Sequence, residues 1–111
     1  MAYDEILIRR ARNLIKELNP PELVEKKMFG GVGFLVRGNM ACGVHGDDLI
    51  VRVGTDRYQQ SLEKPFTKVF DMTGRPMRGW IMVTPKGFAS DDDLQSWIKE
   101  GLDFSLSLPA K

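Results

Sequence analysis

KMFGGVGFLVRGNMACGVHGDDLIVRV, residues 27–53, is the stretch that decides the fold. Its glycines are frequent, and the residues between them are mostly Val, Phe, Leu, Ile and Met. That composition predicts three strands, over about 27–36, 40–44 and 49–53. Arg37-Gly38-Asn39 and His45-Gly46-Asp47-Asp48 supply the turns, because Gly, Asn and Asp tolerate positive φ. Connections this short force antiparallel neighbours, since a parallel crossover needs a dozen or more residues. Closely spaced glycines also let such a ribbon curl, through bulges or close backbone approach.

Upstream, Asp4 is placed to cap a helix in which Leu7, Ala11, Leu14, Ile15 and Leu18 share one face. Arg9, Arg12, Lys16 and Glu17 form its solvated side, and Asn19-Pro20-Pro21 ends it. A short polar bridge leads from there to the first strand. Downstream, Thr55 is expected to cap a short helix containing Arg57, Tyr58 and Leu62, closed by Pro65. Two more strands are predicted over 67–72 and 80–84, separated by a loop from Thr73 to Gly79. Ser90-Asp91-Asp92-Asp93 opens the last helix with an N-cap Ser and acids at the positive end of the dipole. Leu94, Trp97, Ile98 and Leu102 give that helix an apolar face, and 105–111 reads as a frayed tail. The result is an α+β fold, one domain over 1–111: a curved, mostly antiparallel sheet of about five strands with helices at both ends.

Composition narrows the function by exclusion. At 111 residues, with 42% hydrophobic and 28% charged side chains, the chain has the size and mixture of one globular domain. Its net charge of +1 implies no bulk attraction to nucleic acid or lipid. One cysteine, Cys42, forms no internal disulfide, and one Cys with one His makes no four-ligand zinc set. The acids at Asp4 and Glu5 argue against a secretory leader, and no apolar run approaches the roughly 20 residues that span a bilayer. A cytoplasmic protein without membrane contact is expected.

No constellation announces catalysis. A phosphate cradle needs a glycine turn between strand and helix, whereas Gly30-Gly31-Val32-Gly33 runs on into strand residues. Cys42 and His45 stand three apart on a strand, which places them on opposite faces, so a nucleophile pair is disfavoured. Cys42 reads as a small core residue and His45 as a turn residue. Asp91, Asp92 and Asp93 lack the ligand spacing of a calcium loop. No catalytic residue, metal or cofactor is therefore expected. Charge is uneven along the chain: residues 55–88 carry Arg57, Lys64, Lys68, Arg75, Arg78 and Lys86 against Asp56, Glu63 and Asp71. Residues 89–111 carry two basic and five acidic side chains. Arg75 and Arg78 beside Trp80, with Arg57 and Lys68, are the candidate surface for an anionic partner. Trp80 and Met82 occupy one face of their strand and Ile81 and Val83 the other. Such a strand is covered twice or offers a patch for a partner, including a homodimer seam.

Met28-Phe29-Gly30-Gly31-Val32-Gly33-Phe34, followed by Gly38-Asn39-Met40 and then Leu49-Ile50-Val51-Arg52-Val53, resembles the N-terminal domain of the TfoX (Sxy) family of bacterial competence regulators. Pro65-Phe66, the strand from Met77 to Pro85 and an acidic helix carrying Leu94 and Trp97 follow in the family's order. The resemblance implies a curved-sheet unit related to YjbR-like domains, with Met28, Phe29, Gly30, Gly31 and Gly33 as a structural motif. Full-length members carry a second, helical domain; the resemblance reads this sequence as the N-terminal domain standing alone. It implies a role in controlling DNA-uptake genes beside a cAMP-dependent activator, and it supplies no catalytic residues.

The leading expectation is a non-enzymatic regulatory or interaction module that meets a transcription-control protein, or DNA weakly, through the 75–80 loop. The alternative is a small-molecule-binding or enzymatic α+β domain, which would show a pocket lined by the segment from Phe29 to Phe34.

Overall fold

Glu5–Leu18 forms α1, with Leu7, Ile8, Ala11 and Ile15 buried at helical spacing. It stops where expected: Asn19 turns to φ 51° while its N–H still reaches the Ile15 carbonyl at 3.0 Å. The computed structural model describes residues 5–28, 31–71 and 74–110. The Asp4 cap, Phe29, Gly30, and Met72 and Thr73 of the second half lie outside them.

The sheet among the described residues has six strands, all antiparallel to their neighbours, in the order β1-β2-β3-β4-β6-β5. They are β1 (Leu23–Met28), β2 (Gly31–Val36), β3 (Asn39–His45), β4 (Asp48–Arg52), β5 (Thr67–Val69) and β6 (Trp80–Val83). The strand expected over 27–36 is two antiparallel strands, with Met28 and Gly31 facing each other in register. Leu23–Met28, polar in composition, is thus an edge strand and not a bridge. With one neighbour only, it can keep Glu25, Lys26 and Lys27 exposed.

Two hairpins follow the turn chemistry. Val36 pairs with Asn39 across Arg37 (φ 54°) and Gly38 (φ 81°), both left-handed as a type I′ turn requires. Asn39 therefore opens β3 instead of belonging to the turn. His45 pairs with Asp48 across Gly46 (φ 60°) and Asp47. Between β2 and β3 the register slips, Phe34 facing Cys42 and Leu35 facing Met40, so Ala41 is the extra residue of a bulge. Ala41 and Cys42 consequently both enter the main core, while Met40 packs with the apolar cluster on the other face.

Beyond β4 the chain passes through α2 (Tyr58–Leu62) to the far edge as β5, and β6 returns between β4 and β5. The helix is not capped by Thr55: Arg57 holds the N-cap position, with no side-chain hydrogen bond. β5 is three residues long and ends at Val69, shorter than expected. A 3-10 turn, Pro85–Phe88, leads to α3 (Asp91–Leu106), whose Ser90 Oγ accepts the Asp93 N–H at 3.1 Å. The expected frayed tail is instead tied down as far as Pro109. Ser105 is fully buried and donates to the Met40 carbonyl at 3.0 Å, and Asn39 Nδ2 donates to the Pro109 carbonyl at 3.0 Å.

Both long helices cover one face of the sheet, over Val32, Phe34, Val36, Val44, Leu49, Val51, Ile81 and Val83. Arg10 ties α1 to the start of α3 by donating to Asp91 Oδ1 at 3.0 Å and the Phe88 carbonyl at 2.9 Å. Arg12 grips Glu25 of β1 with two bonds of 2.7 Å. That pairing holds the Glu25 carboxyl below its usual range, mainly through the hydrogen bond. The unfolded state thus binds the extra proton in acid, so the stabilisation is complete above about pH 4.3 and disappears as pH falls through the native value. Glu25→Gln is expected to lower the melting temperature by only a degree or two near pH 6, as for a surface pair worth about 0.5 kcal/mol. Melting curves of wild type and variant should converge toward pH 3; a gap that persists there would contradict the assignment.

Candidate functional site

The second face of the sheet carries its own apolar cluster: Ile50, Phe70 and Met82 are buried, packed against Met40, Met77 and Trp80. Phe70 and Met77, on the described parts of the connection from β5 to β6, cover it. The connection is a loop that closes on itself where the Met77 N–H donates to the Phe70 carbonyl at 2.9 Å and the Gly74 N–H to the Asp71 carbonyl at 2.8 Å. Its far end is pinned to the residues just after β4, because the Gly79 carbonyl accepts from the N–H groups of Val53 (2.8 Å) and Gly54 (3.0 Å). Gly79 (φ 92°) and Gly54 (φ 86°) both need the left-handed backbone that glycine reaches without steric cost. The doubly apolar strand β6 is therefore covered on both sides: Ile81 and Val83 join the main core, where α2 lies against β6, and Met82 packs with Phe70 on the other face.

Arg75 and Arg78 ride on that loop, exposed, and neither forms an ion pair with a described residue. The other basic candidates are engaged. Arg57 lies 4.0 Å and Lys64 3.8 Å from the carboxylate of Glu100, whose side chain is only 15% exposed. Lys68 reaches across β6 to Asp48 at 3.0 Å. The acidic last helix thus neutralises part of the basic middle segment, and its free cations are fewer than the sequence count suggests. Lys64 also stands 5.0 Å over the Trp97 ring, whose indole N–H donates to the Gly87 carbonyl.

Trp80 is a platform more than a contact surface. It is half-buried, its ring 6.3 Å from that of Phe70, and Arg52 lies over it with the guanidinium carbon 5.0 Å from the ring centroid. The same guanidinium is 5.5 Å from the Phe104 ring of α3. Burial pushes its pKa down from the ordinary arginine value, yet a guanidinium stays charged at neutral pH. Arg52 is not among the sequence candidates, because its setting depends on a ring supplied from a distant helix. Beside it a groove of about 530 Å3 opens between the loop 53–57 and α3, lined by Gly54, Asp56, Arg57, Lys99, Asp103 and Phe104 among others.

The remaining candidates fall into structural roles. Cys42 is wholly buried, and burial pushes its thiol up to about 12, far from the thiolate range at neutral pH. His45 is half-buried at the end of β3. Among the described residues no group of three His, Cys, Asp or Glu side chains is placed to hold a metal ion. No described helix is long and apolar enough to cross a membrane. In the glycine motif, Gly31 faces Met28, and a Cβ at Gly31 would fall on the Val44 carbonyl oxygen. Gly33 faces Gly43, and a Cβ at Gly43 would come 2.6 Å from the Val32 carbonyl oxygen. The glycines at 31 and 43 thus allow close backbone approach of β2 and β3. Among the described residues of the segment 29–34, where the small-molecule reading expects its pocket, none lines the 530 Å3 groove, but Val32 lines a second groove of about 330 Å3 together with Arg9, Arg12, Glu25 and Lys27.

The family model for the TfoX N-terminal domain matches residues 14–105. Comparison with curated proteins and with solved structures gives no match. The matched span runs from the second half of α1 nearly to the end of α3 and takes in the whole sheet. The glycine-turn meander and its flanking helices thus carry the likeness noted in the sequence, and the chain belongs to the TfoX N-terminal domain family.

Proposed function

We propose that this domain is a non-enzymatic interaction module of gene regulation that meets the phosphate backbone of DNA with the loop carrying Arg75 and Arg78. The observation that carries the reading is the pairing pattern of the basic middle segment. Arg57, Lys64 and Lys68 have acidic partners, whereas Arg75, Arg78 and Lys86 are exposed without one among the described residues, and of these Arg75 and Arg78 lie together on one loop. Their loop is also tied down at both ends, so the two charges are presented without a large ordering cost. Membership of a family of competence regulators supports the same direction. The near-zero net charge fits a weak interaction confined to one surface, because long-range attraction from the whole molecule is small.

An acidic face of a transcription-control protein is the other occupant of such a surface, and salt dependence tells the two apart. With a duplex oligonucleotide, the Arg75→Ala, Arg78→Ala double variant is expected to bind roughly tenfold more weakly. Its plot of log affinity against log salt should be shallower by about two, close to one unit for each phosphate no longer neutralised. Fluorescence anisotropy between low and moderate salt measures both quantities. Unchanged affinity and slope would remove these arginines from the DNA surface and leave the protein partner as the reading.

A further inference from the structure

We propose that Arg52 is a phosphate-gripping fork, held over the Trp80 and Phe104 rings so that its N–H groups receive one phosphodiester group of bound nucleic acid. The proposal deepens the DNA reading by naming the residue that fixes the phosphate's position, and it rests on that reading.

Three observations support it. The guanidinium carbon lies over both rings, 5.0 Å from one centroid and 5.5 Å from the other, so contact with two aromatic faces restricts its freedom. Arg52 makes no hydrogen bond or ion pair with any described residue, and no buried side-chain nitrogen lacks a partner, so its N–H groups face solvent. A stacked arginine with a free edge is already ordered for two parallel N–H···O bonds, and less freedom disappears on binding than for a lysine. Finally, an unpaired cation lies near this end of the sheet: Arg52 pairs in register with Trp80, and Arg78 lies two residues before Trp80.

Phosphate is favoured over a single carboxylate by this company. Arg78 has no acidic partner among the described residues, and the oxygens of a phosphodiester are shared readily between two arginines. On the groove side Asp56 and Asp103 oppose an anion that enters there, which directs the phosphate to the Arg78 side. The arrangement also gives Trp80 its place: it supports the arginine and does not itself stack on a base.

The test uses the full chain and two probes. In the first arm, inorganic phosphate is titrated while the Arg52 Nε–H resonance is followed by NMR, with chloride at equal ionic strength as the control. In the second, a duplex oligonucleotide is bound to wild type, Arg52→Lys and Arg52→Gln, with melting curves to confirm folding. The expected result is a saturable shift with phosphate and not with chloride. Affinity for DNA should fall about tenfold in both variants. The salt slope should stay unchanged in Arg52→Lys, which keeps the charge, and become shallower by about one in Arg52→Gln.

DNA binding with no response of the Arg52 resonance and no weakening in Arg52→Lys would overturn the fork while the DNA reading stands. A phosphate response without duplex binding would uphold an anion site and overturn the DNA reading. Absence of both responses would overturn both. The NMR arm needs only wild-type protein, so a variant that fails to fold does not shelter the proposal.

Discussion

Gly101→Ala is expected to lower the melting temperature by roughly 5–10 °C, although alanine is the better helix former. On propensity alone the change inside α3 should stabilise the protein by about 1 kcal/mol. The tertiary structure reverses the sign. Gly101 is buried where α3 lies against β3, and a Cβ there would land on the Ala41 carbonyl oxygen and 3.5 Å from a Val51 methyl. Ala41 is the bulge residue of β3, and its carbonyl belongs to backbone that cannot rotate aside as a side chain would. The helix must lift from the sheet, loosening the packing of Leu94, Ile98 and Leu102 against it, at a cost of about 2–3 kcal/mol. Ser96→Ala, at an exposed position of the same helix, reports propensity without the clash and should be neutral or slightly stabilising. A Gly101→Ala protein that melted at or above the wild-type temperature would show that α3 does not sit this close to β3.

The second large effect is kinetic. Cys42 in the native protein should react with a thiol reagent at least about a thousandfold more slowly than in denaturant, because reaction must wait for opening of the core. It has no exposed surface and its thiol is pushed up to about 12 by burial alone. Both the steric block and the lack of thiolate act in the same direction. Labelling should therefore keep pace with unfolding and accelerate with denaturant. The same burial predicts an alkaline weakness. The unfolded thiol ionises from about pH 8.5 while the folded one does not, so stability declines progressively as pH rises from there toward 12. Cys42→Ala should remove that part of the alkaline decline. Rapid labelling of the folded protein at neutral pH would refute the buried setting and reopen a chemical role for this residue.

Much of the fold is legible in the sequence because its signals are local. Arg37-Gly38 and Gly46-Asp47 announce hairpins through the φ values they tolerate, and Ser90 with Asp93 announces a helix start through one short hydrogen bond. Asn19-Pro20-Pro21 stops α1 because proline restricts the residue before it. β1 is hidden for the opposite reason. An edge strand with one neighbour and a charged exposed surface has no apolar alternation to display, and its Glu25–Arg12 pairing joins two elements. The terminal segment looks frayed on similar grounds, since Ser105 and Pro109 are tied by groups from Met40 and Asn39 far upstream.

The candidate surface divides the same way. Charge counting locates a basic middle segment, but which of those charges stay free is decided by acids brought from elsewhere: Glu100 beside Arg57 and Lys64, Asp48 beside Lys68. Trp80 is visible as a large apolar residue among arginines, while its duty of supporting Arg52 needs Phe104 from the last helix. By itself the sequence determined the hairpin turns of the meander, the end of α1, the start of α3 and the family, because turn torsions, caps and side-chain alternation depend on residues a few positions apart. Only the tertiary structure decided the insertion of β6 between β4 and β5, the loop that shelters the second apolar face, and the arginines left to meet a partner. Those outcomes depend on encounters between residues distant along the chain, whose charges and surfaces cancel or remain according to where the packing brings them.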